Sequence, residues 1–268
     1  MTNETPLGKA TAYADRYDPD LLFTIPRAES RVALGLSVDL PFAGCDLWTA
    51  WEITWLNPNG VPCIASAEFE VPFDSPCLIE SKSLKLYLGS FAMTRVESRS
   101  ELAGTIAGDL SSSTGSDVQV RLHESKQDTA IHDFDGICIE EFDTQCDSYA
   151  VDASLLRAGN GHATETLHSH LLRSLCPVTD QPDLGSVLVK YTGPGIDPVG
   201  LLRYIVSYRQ HNDFHEACVE RMFLDITARC RPEQLTVYAR YQRRGGIDIN
   251  PFRSNFESAP VPGRLPRQ

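Results

Sequence analysis

The sequence predicts an α+β protein made of two tandem modules, residues 1–150 and 151–268, each an antiparallel sheet with helices on one face. Three observations carry this reading. Length is the first: 268 residues hold two modules of about 100–150 residues, each long enough to bury a core. The second is an internal repeat, since ESKSLKLYLGSF from Glu80 to Phe91 and DPVGLLRYIVSY from Asp197 to Tyr208 share their spacing at a shift of about 117 positions. The third is order, because in both halves a strand-like hairpin precedes helical segments that are followed by further strand.

In the first half, WTAWEITWLN and IASAEFEV flank the turn PNG and form a hairpin. The ESKSLKLYL helix follows, then an amphipathic stretch from Glu97 to Leu110 and the strand-like SDVQVRL of residues 116–122. In the second half an apolar segment, the turn QPDLG and SVLVKYTG make the matching hairpin. Leu167, Leu171, Leu172 and Leu175 are spaced like a helix face, but the hairpin requires a strand there, and the strand is retained. A helix of about four turns follows over Phe214–Thr227. Asp213 and Glu216 fit a capping box, Cys218, Val219, Met222, Phe223 and Ile226 form one apolar stripe, and Arg229 with Pro232 closes it. LTVYARY (235–241) then matches SDVQVRL of the first half.

A hydrophobic share of 42% with 22% charged residues belongs to a packed globular protein. The net charge of −12 opposes binding to a phosphate backbone, so no direct nucleic acid contact is expected beyond a free base. MTNETPLGKA lacks the basic and apolar regions of a secretory signal, and no apolar run of about 18 residues exists, so a cytoplasmic protein without membrane contact is expected. Eight cysteines contain no C-x-x-C pair, and in a reducing compartment they do not form a disulfide framework. Most serve as small core residues.

Catalysis by a cysteine needs a partly exposed thiol and a proton donor within reach. SLCPVTDQPDLGS offers Cys176 at the end of an apolar segment and Asp183 seven residues on, across a turn that folds it back. On residues alone, a core cysteine beside a turn-forming aspartate is the favoured reading. GPGIDPVG (193–200) lacks the third glycine of a dinucleotide fingerprint and reads as a turn. His211 and His215 stand four apart, as zinc ligands on a helix do, but no cysteine pair completes a site. His168 and His170 share a strand face with no third ligand in the sequence, so they read as structural, and no metal is expected.

CPVTDQPD, ESKSLKLYL, RQHNDFHEACVE and RRGGIDINP together resemble the NADPH-dependent 7-cyano-7-deazaguanine reductases of queuosine biosynthesis, a tRNA-modification pathway. The likeness extends through LPFAGCDLWTAWEITWLNPNG to most of the chain. ESKSLKLYL lies in one half and the other three blocks in the second, which resembles the long, two-module form of that family. The resemblance implies two tunnelling-fold (T-fold) modules, a homodimer, and a site that spans both halves. It implies that Cys176 attacks the nitrile carbon to give a thioimide and that Asp183 delivers a proton to nitrogen, with two equivalents of NADPH consumed. It assigns His215 and Glu216 to the deazapurine substrate, with Glu80 and its neighbours Ile79 and Ser81 as the other contact. It assigns Ser81, Lys82, Arg244 and Gly245 to NADPH. Residue-level alternatives are a capping acid for Glu216, a solvated helix start for Glu80, a surface position for His215 and a solvated basic face for Lys82 and Arg244. Leu184 departs from the family, where an aromatic often follows the aspartate. Other readings are a cysteine-dependent nitrile hydrolase, a zinc-using T-fold enzyme acting on a pterin or purine, and a purine-binding module without catalysis.

Overall fold

The computed structural model describes residues 13–37, 39–124, 131–260 and 263–268, and the chain divides into two compact units. The first gathers described residues of 1–35, 46–128 and 243–248; the second gathers those of 36–45, 129–242 and 249–268.

The first unit contains β1 (Thr24–Pro26), α1 (Arg27–Ala33), β2 (Ala43–Leu56), β3 (Pro62–Pro72), β4 (Cys77–Ile79), α2 (Ser81–Gly89), α3 (Arg99–Thr114) and β5 (Gln119–Glu124). In its sheet β3 lies between β2 and β5 and runs antiparallel to β5. Ala65, Ala67, Phe69 and Val71 of β3 are buried while their neighbours are half-exposed, the period of two expected of a strand with one covered face. The β2–β3 turn forms because the Asn57 carboxamide oxygen accepts the Asn59 and Val61 N–H groups (3.0 and 2.9 Å). On α3, Leu102, Ile106 and Leu110 form the buried stripe. Ser98 caps its start and Gly115, at a φ of 75°, ends it.

The second unit contains β6 (Ile137–Cys138), β7 (Ala158–Leu175), β8 (Pro182–Ile196), α4 (Pro198–Ser207), α5 (His215–Cys230), β9 (Gln234–Tyr241) and most of β10 (Ile247–Ser254). Strand order is β10-β9-β8-β7-β6. The ambiguous leucines lie on β7, an 18-residue strand. Its register shifts between Ser169 and Leu172, and that irregularity puts Leu167 and Leu172 on one face although they are five residues apart. The bulge accounts for that pair alone, since Leu171 is exposed and Leu175, opposite Pro182, lies on the other face. Val187, Val189 and Tyr191 of β8 and Val237, Ala239 and Tyr241 of β9 face the helices, where α5 packs on β9. The α5 stripe from Cys218 to Ile226 is buried as expected, each side chain contributing about 1.5–3 kcal/mol by leaving water.

Three expectations need correction. The turn of this hairpin occupies 176–181 rather than QPDLG, because Leu175 pairs with Pro182 and Gly185 already lies in β8. GPGIDPVG is no turn: its first residues finish β8, Asp197 caps α4, and Pro198 occupies the first helical position, where its missing N–H costs nothing. The capping box fails as well, since α5 begins at His215 with Phe214 as its cap residue, and the Asp213 carboxylate accepts the Phe214 N–H (2.9 Å) one residue too early.

The repeat is visible in detail inside each unit. Glu80 caps α2 and Asp197 caps α4, each accepting two helix N–H groups. Ser90 Oγ donates to the Tyr87 carbonyl and Ser207 Oγ to the Tyr204 carbonyl, both at 2.6 Å. Each serine in turn accepts an aspartate N–H, Asp18 in one unit and Asp152 in the other, and each aspartate caps its own 3-10 turn. Tyr87 and Tyr204 donate to Asp109 and Asp225 at 2.6 Å. The second unit's sheet is also covered on the face away from its helices. Phe134 lies against His168, His170 and Tyr238, and Gln268 donates to Asn250 and to the Tyr241 carbonyl. Among the described residues no helix is long and apolar enough to cross a membrane.

Candidate active site

Cys176 opens the tip of the β7–β8 hairpin. Ser174 faces Asp183 in the register, so the reversal over 176–181 returns Asp183 to the stem next to the cysteine's own strand. The tip closes on itself: the Cys176 N–H donates to the Gln181 carbonyl (2.9 Å) and the Asp180 N–H to the Cys176 carbonyl (3.0 Å). Asp180 takes a φ of 56°, which Asp and Asn tolerate better than other side chains, and its carboxylate accepts from Asn212 (2.6 Å). The loop before α5 is stitched to the end of β7, with the Leu175 N–H donating to the His211 carbonyl (2.8 Å) and the Asp213 N–H to the Leu175 carbonyl (3.1 Å). With that loop against its turn, Cys176 is 6% exposed, so the expected partly exposed thiol is corrected to a buried one.

Asp183 is buried and points to the helix side of the sheet, where His215 Nε2 approaches its Oδ2 to 3.4 Å. The contact is within ionic reach but is not aligned as a hydrogen bond. The His215 ring is stacked on Tyr241, centroids 3.8 Å apart, which fixes its plane. His215 is therefore no surface histidine. His211 lies outside α5 with its ring edge-on to Tyr208, so it does not share a helix face with His215. Glu216 is buried in the first turn of α5, and Glu220, one turn on, holds Arg253 through Nε (3.1 Å) and Nη2 (2.8 Å). The sequence reading passed over Glu220; its signal was the E-x-x-x-E spacing with an arginine in a fully buried strand.

Burial pushes the Cys218 thiol far up, and Cys230 is raised to about 11, also by burial. Both stay protonated at neutral pH and are poor nucleophiles.

In the first unit, Ile79 ends β4 and Glu80 caps α2, its two carboxylate oxygens accepting the Lys82 N–H (2.9 Å) and the Ser83 N–H (2.7 Å). It is 2% exposed, which rules out a solvated helix start. Desolvation raises its pKa in spite of those two bonds and the nearby Lys82 charge. Ser81 is exposed and Lys82 half-buried at the start of α2. Arg244 and Gly245 form a tight turn in which the Arg244 N–H donates to the Ile247 carbonyl (2.8 Å). Gly245 and Gly246 both have positive φ, 61° and 86°, as a two-residue hairpin turn demands. A Cβ on Gly245 would stand 2.2 Å from Lys85 Nζ, a contact the end of that flexible side chain can relieve by moving, so the positive φ is what calls for glycine here. A cavity of about 200 Å³ opens here, lined by Glu52, Thr54, Lys85, Leu88, Gly245 and Gly246 among others. Lys85 is the residue the sequence reading missed at this end, although it follows Lys82 by three positions on one helix. Beside the cavity, Arg243 stacks on Trp51 at 4.4 Å and the Trp51 indole donates to Asp248.

A buried cysteine at a hairpin tip, beside a buried aspartate and an oriented histidine, suits addition of a thiol to an electrophilic carbon followed by proton delivery. Comparison with known proteins gives the family. Residues 13–122 match the family model described as nitrile reductase, 7-cyano-7-deazaguanine-reductase N-term, and residues 182–260 match the QueF-like protein model. The NADPH-dependent 7-cyano-7-deazaguanine reductase of Azoarcus sp. (strain BH72) is 54% identical over 94% of this chain and 90% of its own length. Those of Paraburkholderia xenovorans (strain LB400) and Burkholderia lata are each 52% identical, over 100% and 96% of this chain and 100% and 95% of their own lengths. With identity at this level along the whole chain, the protein belongs to the NADPH-dependent 7-cyano-7-deazaguanine reductase family.

Proposed function

We propose that this chain reduces the nitrile of 7-cyano-7-deazaguanine to 7-aminomethyl-7-deazaguanine with NADPH, in queuosine biosynthesis. The observation that carries the reading is the hairpin that returns Asp183 beside the strand ending at Cys176, with His215 at 3.4 Å. The Cys176 sulfur adds to the nitrile carbon while the thiol proton reaches the nitrile nitrogen by way of Asp183, which gives a neutral thioimide. NADPH, when bound, supplies two hydrides in succession. After the first, the nitrogen lone pair expels the Cys176 thiolate and leaves an imine for the second. Covalent capture replaces one hard reduction by two easier ones. The imine must be kept from water, which a buried cysteine and aspartate favour. His215 is placed to relay a proton to Asp183, and Glu216 to accept the two parallel donors on the guanine-like edge. Ile79, Glu80 and Ser81 stand as the other substrate contact by resemblance.

For NADPH the residues fit: Lys82, Lys85 and Arg244 offer charge to phosphates and Gly245 offers close backbone approach, with Ser81 beside them. The protein is proposed to act as a homodimer in the cytoplasm, with modules 1–150 and 151–268.

The test is intact mass after mixing the protein with the cyano base and no NADPH. One substrate should add, and peptide mapping should place it on Cys176 alone. An adduct on any other cysteine sinks the mechanism. Consumption of two NADPH per product separates reduction from nitrile hydrolysis, which would yield an acid and consume none.

A further inference from the structure

Away from Cys176, the segment 131–138 crosses the sheet face opposite the helices of the second unit and brings Asp133 to the H-S-H pair of β7. Asp133, His168 and His170 each offer one ligand atom, and the three atoms lie within 4.8 Å of one another. His170 Nε2 and Asp133 Oδ1 are 3.1 Å apart. Two ligands held at about 2.0–2.1 Å on a tetrahedral ion are separated by about 3.3 Å, so this pair already has the spacing of a coordination edge. The other nitrogen of His170, Nδ1, is 2.8 Å from Ser186 Oγ. Metal-bound histidines are held in this way, one ring nitrogen on the ion and the other fixed by an oxygen that sets tautomer and ring plane. His168 is 95% buried by its 5% exposure, and its Nδ1 has no hydrogen-bond partner, a cost that an apolar residue would avoid.

We infer that Asp133, His168 and His170 form a site for one divalent transition-metal ion of the zinc class, which clasps the 131–138 segment to β7. Two imidazoles and one carboxylate with no thiolate suit zinc, cobalt or nickel rather than magnesium or calcium. Its role is structural. Asp133 also lines a cavity of about 510 Å³, together with Phe134, Tyr238, Arg240, Phe252 and Leu265, so an ion at the cluster would hold one wall of that cavity in place.

The experiment is titration of chelator-treated full-length protein with Co2+ alone, read by visible d–d absorption and by the thermal midpoint. One Co2+ per chain is expected, with no sulfur-to-metal charge transfer and a midpoint raised by several degrees, on the order that ligand linkage gives. Asp133 is an exposed side chain, so Asp133→Asn should fold normally and bind at least about tenfold more weakly. His170→Ala should abolish the signal. An absent spectrum, thiolate charge-transfer bands, or unchanged affinity in Asp133→Asn would overturn the site, and the last of these decides it even where His170→Ala does not fold.

Discussion

Glu80 holds a carboxylate that is buried yet bonded to two helix N–H groups, and desolvation dominates, since its pKa is raised. The sign follows from linkage. An acid with a higher pKa folded than unfolded favours folding most when protonated, and that contribution is lost as pH rises from the ordinary value of 4.5 through the raised one. Urea midpoints of wild type and Glu80→Gln, followed from pH 4 to 7, should therefore show the wild type losing ground to the variant; a constant gap would mean that the carboxylate is not destabilised. A deeper change such as Glu80→Ala also removes a helix cap, so weaker substrate binding in it would not by itself report recognition. At this scale short strings were legible as neighbours, with Asp183 returned beside the end of β7 and His215 brought to 3.4 Å from its carboxylate. The sequence was silent where partners are remote, as with Tyr241 under His215, Arg253 on Glu220 and Asp133 beside His170, because no local pattern encodes which strands become neighbours.

Elements were legible where periodicity is clean and misplaced where a short signal has two uses. The α5 stripe and the IASAEFEV strand lie where the sequence puts them, whereas Pro-Asp-Leu-Gly has a turn's composition although Gly185 sits in a strand, close against the Arg240 carbonyl and the Tyr241 ring. Asp213 shows the same limit. It has a cap residue's chemistry, but the stitch between Leu175 and the 211–213 loop sets where the helix starts. Asp197, by contrast, is a cap with no proposed chemical role, accepting from Val199 and Gly200 at 3.2 Å. Asp197→Ala should cost about 1 kcal/mol in urea unfolding with nitrile turnover unchanged at saturating substrate. A loss below a few tenths of that would show that solvent replaces the carboxylate at no cost.

For the molecule as a whole, the repeat inferred from two strings proved to be a shared set of bonds: acid cap, serine lock, tyrosine on aspartate. What the two units do not share is the hairpin that carries Cys176 at its tip and Asp183 in its stem, so under the proposed function the duplicated scaffold would carry different chemistry in each copy. One buried ion pair, Glu220 with Arg253, ties α5 to β10 in the second unit. Glu220→Ala would remove the carboxylate from a buried guanidinium that also donates to the Cys45 and Phe252 carbonyls, and a loss of about 3–5 kcal/mol, seen as an earlier cooperative transition in urea, is expected. A Glu220→Ala protein with wild-type midpoint would show that the carbonyls suffice. The depth of Cys176 has a further consequence outside catalysis. A cysteine with 6% of its surface showing offers bulky disulfides such as oxidised glutathione little room for the in-line approach that exchange requires. If Cys176 is the nucleophile proposed above, the same burial that keeps water from the imine also shields the sulfur from capping under oxidative stress.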